Sequence, residues 1–445
     1  MATFANRTAI RGAYVTFTDN PFAAGDNAAM HFEPDGLIII DDGVITFSGN
    51  YADGAGLVQG HPVTHYTDAV ILPGFIDTHV HYPQLQMIGA YGAQLIDWLN
   101  TYTFVAEQQY ADLDYARQVS GVFLDELIRT GTTTAAVYCT AHPNSVTGFF
   151  EAAQRRNMRM IAGKVLMDRN APEALCDTAQ SGFDDSLALI NTWHGKGRLH
   201  YAITPRFAPT STEAQLEAAG ALWQAHPDTY MQTHVSENLD EVAWVKSLFP
   251  ERQNYLDVYA HYGLVGPRAV FGHAIHLEPA EWDLMASSGS SISHCPTSNT
   301  FLGSGLFDFK RAFQPKAPHQ AVRTGLASDV GGGTSLSMLR CMGEAYKVGQ
   351  LGGYSVSAAK AFYMATRGAA KALYLEDRIG SIAPGFDGDL VVLNRKSTPL
   401  LQFRDAYCNS IEEALFVLMT LGDDRATQAV YVAGDLAYVA AAEAD

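Results

Sequence analysis

Leu72-Pro73-Gly74-Phe75-Ile76-Asp77-Thr78-His79-Val80-His81 is an apolar run that ends in two histidines one residue apart. Over Leu72–His79 it reads as a buried strand, because a short continuous apolar run bounded by Pro and Gly suits a sheet covered on both faces. Residues i and i+2 of a strand share a face, so both imidazoles can reach one ion. Alone, such a pair is a common accident of surface or packing. Its weight comes from what the rest of the chain sets beside it.

Seven further runs follow at intervals: Thr132–Cys139, Met158–Val165, Leu199–Thr204, Tyr230–His234, Ala269–His273, Ser291–Cys295 and Val322–Ser328. Between them lie helical patterns such as Tyr115–Arg129, Glu213–Gln224 and Leu239–Leu248. Strand and helix in alternation is the pattern of a parallel sheet. Eight such units predict an α/β fold, a (β/α)₈ TIM-like barrel, with an open doubly wound sheet as the alternative on counting alone. Gly54-Ala55-Gly56 lacks the third glycine and the following helix of a dinucleotide loop.

The two ends of the chain read differently. Gly36-Leu37-Ile38-Ile39-Ile40, Asp41-Asp42-Gly43 and Val44-Ile45-Thr46-Phe47 form a hairpin pattern. Asp389–Leu393 and Ala429–Val432 with Ala433-Gly434-Asp435 repeat the style near the C-terminus. The expected division is residues 1–72 and 381–445 as the two parts of one small β-sandwich domain, around a barrel of 73–380. A chain of 445 residues exceeds one ordinary core, as this division requires.

Composition narrows the function. A net charge of −18 argues against nucleic acid or an anionic membrane as partner, while leaving a small neutral molecule open. No apolar run reaches the roughly 18 residues of a membrane span. Met1–Arg7 shows no basic stretch before an apolar core, so no signal peptide is read and a cytoplasmic location is expected. Five scattered cysteines, without any Cys-x-x-Cys, fit reduced thiols. The missing pair also excludes the zinc deaminases built on Pro-Cys-x-x-Cys.

In a barrel the chemistry sits at the C-terminal ends of the strands. The fifth run ends in Thr233-His234-Val235-Ser236-Glu237, the sixth in Gly272-His273, and the eighth in Ser328-Asp329-Val330-Gly331-Gly332-Gly333. Each group alone has a plain alternative, a core histidine or, for Asp329, a helix cap. Together, histidines and a carboxylate at several strand ends can hold one divalent ion with room for water. His142, His276 and His294 read as packing or supporting groups, Cys295 as a packed thiol, and Asp184-Asp185 as a solvated helix face.

Pro73-Gly74-Phe75-Ile76-Asp77-Thr78-His79-Val80-His81 resembles the first-strand signature of the amidohydrolase superfamily, whose barrel-plus-split-β-domain layout spans nearly the whole chain. Four stretches resemble the guanine deaminases within it: His81-Tyr82-Pro83-Gln84, Trp98–Phe104, Thr204-Pro205-Arg206-Phe207-Ala208-Pro209 and Cys295-Pro296-Thr297-Ser298-Asn299. The resemblance implies zinc held by His79, His81, His234 and Asp329, with Glu237 as proton shuttle and His273 and Asp329 as further catalytic groups. It implies hydrolysis of guanine to xanthine and ammonia by a metal-bound hydroxide.

Substrate contacts are expected from His81, Tyr82, Pro83, Gln84, Arg206, Phe207, His234 and Asp329. Among them Arg206 would donate to the purine O6, or else pair with a carboxylate as a structural arginine. Members of the superfamily with two metals bridge them through a lysine on the fourth strand. His200-Tyr201-Ala202-Ile203-Thr204 has none, and Lys164 belongs to the third strand, so one Zn²⁺ per subunit is expected. The resemblance also suggests a homodimer. Two other readings stay open: a related amidohydrolase acting on a triazine, methylthioadenosine or pterin, and a catalytically silent scaffold. Iron or manganese are alternatives to zinc.

Overall fold

The computed structural model describes residues 6–91 and 98–441. Most of the Met1–Arg7 stretch read for a targeting signal therefore lies outside the described residues. No helix among the described residues is long and apolar enough to cross a membrane.

The N-terminal strands are β1 (Arg7–Phe17), β2 (Met30–Asp41), β3 (Val44–Asn50) and β4 (Thr64–Pro73). Asp42 and Gly43 both take positive φ (49° and 85°), which is what a two-residue turn between twisted antiparallel strands demands. The barrel follows with β5 (Phe75–His81), β6 (Thr132–Tyr138), β7 (Arg159–Gly163), the two-residue β8 (Val165–Leu166), β9 (Leu199–Pro205), β10 (Tyr230–Val235), β11 (Ala269–His273), β12 (Ser291–His294) and β13 (Arg323–Leu326). The chain ends in β14 (Leu390–Asn394), β15 (Thr427–Val432) and β16 (Asp435–Val439).

The terminal strands form one seven-stranded mixed sheet in the order β16-β15-β14-β4-β1-β2-β3. A single apolar cluster draws on both of its ends: Ile10, Ile38 and Ile40 pack with Ile71, Leu390 and Val392. There the Tyr66 and Tyr431 hydroxyls meet at 2.9 Å. The barrel strands run in the order β13-β12-β11-β10-β9-β7-β6-β5, all parallel, with β8 beside β9. The ring is nearly closed where the outermost strands meet. Asp329 N donates to His79 O at 2.9 Å, and His81 N to Val330 O at 2.8 Å. Asp77 reinforces the seam, accepting from Ser328 N at 3.0 Å and from the Ser328 hydroxyl.

The run read as one strand from Leu72 splits in the structure. Leu72 and Pro73 finish β4 in the terminal sheet, and β5 starts at Phe75. Gly74 is the crossing point: its N–H donates to Asp389 O at 2.8 Å, and a Cβ there would lie 2.2 Å from the Thr133 hydroxyl. At the N-terminal end of the barrel, Ile76, Ala136, Ile161, Ala202, Tyr230 and Val270 pack against Ala369, Ala370 and Leu373. That plug leaves the other end for chemistry.

Charged contacts tie the terminal segment to the barrel. Asp387, 6% exposed, accepts from Arg159 at 2.5 Å, Arg198 at 3.0 Å and Arg378 at 2.9 Å. The Asp423-Asp424-Arg425 turn has a structural place: Asp423 binds Arg425, and Asp424 pairs with Arg129 at the end of the helix Leu113–Arg129.

Candidate active site

β5 alternates strictly enough that His79 and His81 both point inward, and β10 brings His234 to the same place. His81 Nε2 lies 3.3 Å from His79 Nε2 and 3.1 Å from His234 Nε2. Asp329 Oδ1 lies 3.2 Å from His79 Nε2 and 3.4 Å from His81 Nε2. For metal–nitrogen bonds of about 2.0–2.1 Å, the edges of a tetrahedron are about 3.3–3.4 Å, so these separations suit zinc. Three imidazoles and one carboxylate are also a donor set that zinc takes.

Electrostatics agree with the geometry. Burial lowers all three histidines, His81 and His234 well below their ordinary value, so each ring offers a lone pair. Burial works against the charge of Asp329, yet its imidazole neighbours, among them the protonated His273, hold its pKa below the ordinary carboxylate value. His234 Nδ1 sits 2.7 Å from the Arg206 carbonyl, which can only accept. That contact puts the ring proton on Nδ1 and turns Nε2 toward the other donors. His79, His273, Cys295 and Asp329 form a second convergent group within 4.8 Å. That group calls on the Cys295 thiol, which burial pushes well up and which would have to lose its proton to bind.

Glu237 is placed by the start of the next helix. Asn238 caps Leu239–Leu248, and Glu241 reaches back to accept from Glu237 N at 2.8 Å and Asn238 N at 3.1 Å. Tyr255 holds Glu241 in turn at 2.6 Å. Burial pushes the Glu237 carboxyl up to about 7, and Ser304 donates to it at 3.3 Å. His273 Nδ1 is fixed by Asn299 Oδ1 at 2.9 Å, leaving a buried Nε2 with no hydrogen-bond partner. That nitrogen faces Glu237 Oε2 at 3.5 Å and Asp329 Oδ2 at 3.7 Å.

Ser236, His273, Ala274 and Asp329 all adopt left-handed backbone at these strand ends, with φ between 49° and 68°. For residues with a Cβ that conformation is costly, and such clusters mark sites where side-chain aim outweighs backbone comfort.

A pocket opens beside the donors, lined by His81, Gln84, Arg206, Phe207, His234, Glu237, His273 and Asp329. Most residues expected to touch substrate therefore stand on one wall or another. Tyr82 and Pro83 are not among the lining residues. Tyr82 is fully buried among Tyr110 and Phe149 and donates to Ser145 O at 2.8 Å, while the Pro83 carbonyl accepts from Tyr110. They form the turn that carries Gln84.

Arg206 has the carboxylate partner kept above as its alternative. Its Nη1 donates to Glu107 at 2.8 and 3.0 Å, and among the described residues Nη2 and Nε make no hydrogen bond. Glu107 was missed in the sequence, as were Trp98, Leu99 and Leu302 on the cavity wall. Trp98 and Leu99 lie in a quoted stretch that carried no assigned role. His294 behaves as a packing group: its ring stacks on Phe307 at 4.5 Å, and burial lowers it to about 3.

The family model described as "Amidohydrolase family" matches residues 70–437. The chain is 50% identical over 434 residues, 97% of each chain, to the guanine deaminase of Escherichia coli K12. The solved E. coli guanine deaminase superposes with a TM-score of 0.94 over 97% of this chain and 99% of that one. The guanine deaminase of Bradyrhizobium japonicum, 37% identical, gives 0.95 over 98% of this chain and 100% of that one. The guanine deaminase of C. acetobutylicum, solved with guanine in its active site, is 29% identical and gives 0.86 over 97% and 100%.

Proposed function

The chain belongs to the amidohydrolase family, and we infer that it is a hydrolase converting guanine and water to xanthine and ammonia. The observation that carries this reading is the four donor atoms spaced for one ion on the wall of a cavity that also holds Gln84, Arg206 and Glu237. Identity of 50% to a guanine deaminase over 97% of the chain points the same way.

We assign the ion as one Zn²⁺ per subunit, held by His79, His81, His234 and Asp329. When bound, such an ion lowers the pKa of water in its coordination sphere from about 15.7 to about 7. The single-ion reading is supported by β9, which carries no lysine, and by Lys164, whose ammonium is tied to Asp177.

The residues divide the remaining work. Glu237, a buried carboxyl beside the donors, takes the proton of the attacking water and delivers it to the ring nitrogen next to C2. His273, kept protonated against the opposing effect of burial by the Glu237 and Asp329 carboxylates, donates from Nε2 to the oxygen that adds at C2 and steadies its developing charge. Glu237 and Asp329 then pass a proton to the 2-amino group. The C2–N bond breaks, ammonia leaves, and the carbonyl of xanthine remains. Arg206 donates to O6, Gln84 meets the amide-like edge, and Phe207 packs on the base.

We further read the protein as a cytoplasmic homodimer of purine catabolism, with residues 1–72 and 381–445 forming one domain around the barrel of 73–380. The test is ammonia release and xanthine formation from guanine, with adenine as comparator, before and after removal of metal by chelation and restoration with zinc. Activity should vanish on chelation and return with zinc. Adenine, which has neither O6 nor a 2-amino group, should be rejected by at least about 10⁴–10⁵. Equal rates on the two purines, or full activity in metal-free protein, would overturn the reading.

A further inference from the structure

We propose that Glu107 is a positioning residue that sets the preference for a 6-oxo purine, by fixing the Arg206 guanidinium and the Gln84 amide. The proposal rests on the reading of guanine as substrate. Glu107 does not come from a strand end. It closes the short helix Phe104–Glu107, in the segment between β5 and β6, and its side chain is fully buried.

Its carboxylate accepts from Arg206 Nη1 at 2.8 and 3.0 Å, and from Gln84 Nε2 at 3.1 Å. Phe104, one turn earlier on the same helix, sets its ring 5.5 Å from the guanidinium carbon. The arginine is thus held by a charge at one nitrogen and an aromatic ring along its side, both from one element. A long side chain that is already ordered loses little freedom when a ligand takes its remaining donors.

The same carboxylate orients Gln84. A carboxylate only accepts and a backbone N–H only donates, so Nε2 must face Glu107 and Oε1 must face Gly331 N, 3.2 Å away. The glutamine can present only one edge to a base. Glu107 also neutralises a guanidinium that lines the cavity holding the histidine donors. An unpaired cation there would favour anionic ligands, whereas the paired one offers N–H groups to a neutral carbonyl.

The test uses zinc-loaded enzyme and equilibrium binding, so that it does not depend on turnover. Hypoxanthine keeps the 6-oxygen but has no 2-amino group to lose; purine lacks both. In Glu107→Gln, hypoxanthine should bind roughly 10–100-fold more weakly, the range for charge-assisted hydrogen bonds, while purine changes by less than about threefold. Zinc content should stay at the wild-type level. Glu107→Asp, which keeps the charge but shortens the reach, should move the ratio the same way and guards against a glutamine variant that fails to fold. On an Arg206→Met background, Glu107→Gln should change the ratio by less than it does in wild type, since only the Gln84 contact remains. Both ligands weakening together, or neither weakening, would overturn the assignment. A wild-type enzyme that releases no ammonia from guanine would instead overturn the substrate reading beneath it.

Discussion

Gly272→Ala is a small change that the structure turns into a large one. Gly272 lies in β11 opposite the His79 ring, and a Cβ there would come 2.7 Å from Cε1 and 2.9 Å from Nδ1. Carbon atoms pack at about 3.5–4.0 Å, so the imidazole must withdraw by about 1 Å. Zinc sites tolerate about 0.2 Å in ligand distance, so a shift several times larger removes His79 from the donor set. Loss of an outer partner alone costs about 10–100-fold in metal affinity, which makes that range the lower bound here. The fold should survive, because overpacking costs about 1–3 kcal/mol and alanine is acceptable in a strand. Zinc affinity is read by competition with a chromophoric chelator, alongside guanine turnover and the unfolding midpoint. A variant that folds and keeps zinc affinity within about threefold of wild type would refute the reasoning, showing either that His79 is not a ligand or that the ring finds another path.

Glu237→Gln should lower guanine turnover by roughly 10²–10⁴ with zinc retained, measured by xanthine formation and metal analysis; near-normal turnover would remove Glu237 from the proton path. Asp387→Asn leaves the buried Arg159 without its carboxylate and Arg198 with Asp389 alone, and should cost about 3–5 kcal/mol at neutral pH in urea unfolding. Burial works against the Asp387 charge, but Arg159, Arg198 and Arg378 hold its pKa below the usual carboxylate range. Its contribution is therefore present above the unfolded value of about 3.9 and lost as pH falls through the lower folded one. The gap between wild type and variant should narrow below about pH 4, and a gap independent of pH would contradict the ion-pair account.

What the sequence made legible was whatever repeats with a strand period or ends a strand. The eight runs are visible because a parallel strand buried on both faces is almost wholly apolar, and His79, His81, His234, His273 and Asp329 stand where such runs stop. Glu237 was reachable because it closes the stretch that follows His234 at the end of the fifth run, and its role came from the resemblance. Glu107 was not, because its partner Arg206 is 99 positions away and its own segment has no strand or long-helix pattern. Tyr82 and Pro83 adjoin Gln84 in sequence, but the turn after β5 sends the Tyr82 ring into the helix layer. The boundary at Gly74 was hidden because Ala69–Ile76 is apolar on both sides of it, and hydrophobicity does not say which sheet a residue has joined.

The seam between β5 and β13 has a consequence for how the protein is made. His79 and Asp329 offer donor atoms 3.2 Å apart, yet 250 residues separate them, and their backbones are joined by the bond that closes the ring. A nascent chain emerging N-terminus first carries both imidazoles of β5 long before its carboxylate exists. Tight zinc uptake should therefore lag translation until β13 and the loop after it are in place. With His79 and Asp329 as ligands, metal capture would report that the last strand has found the first.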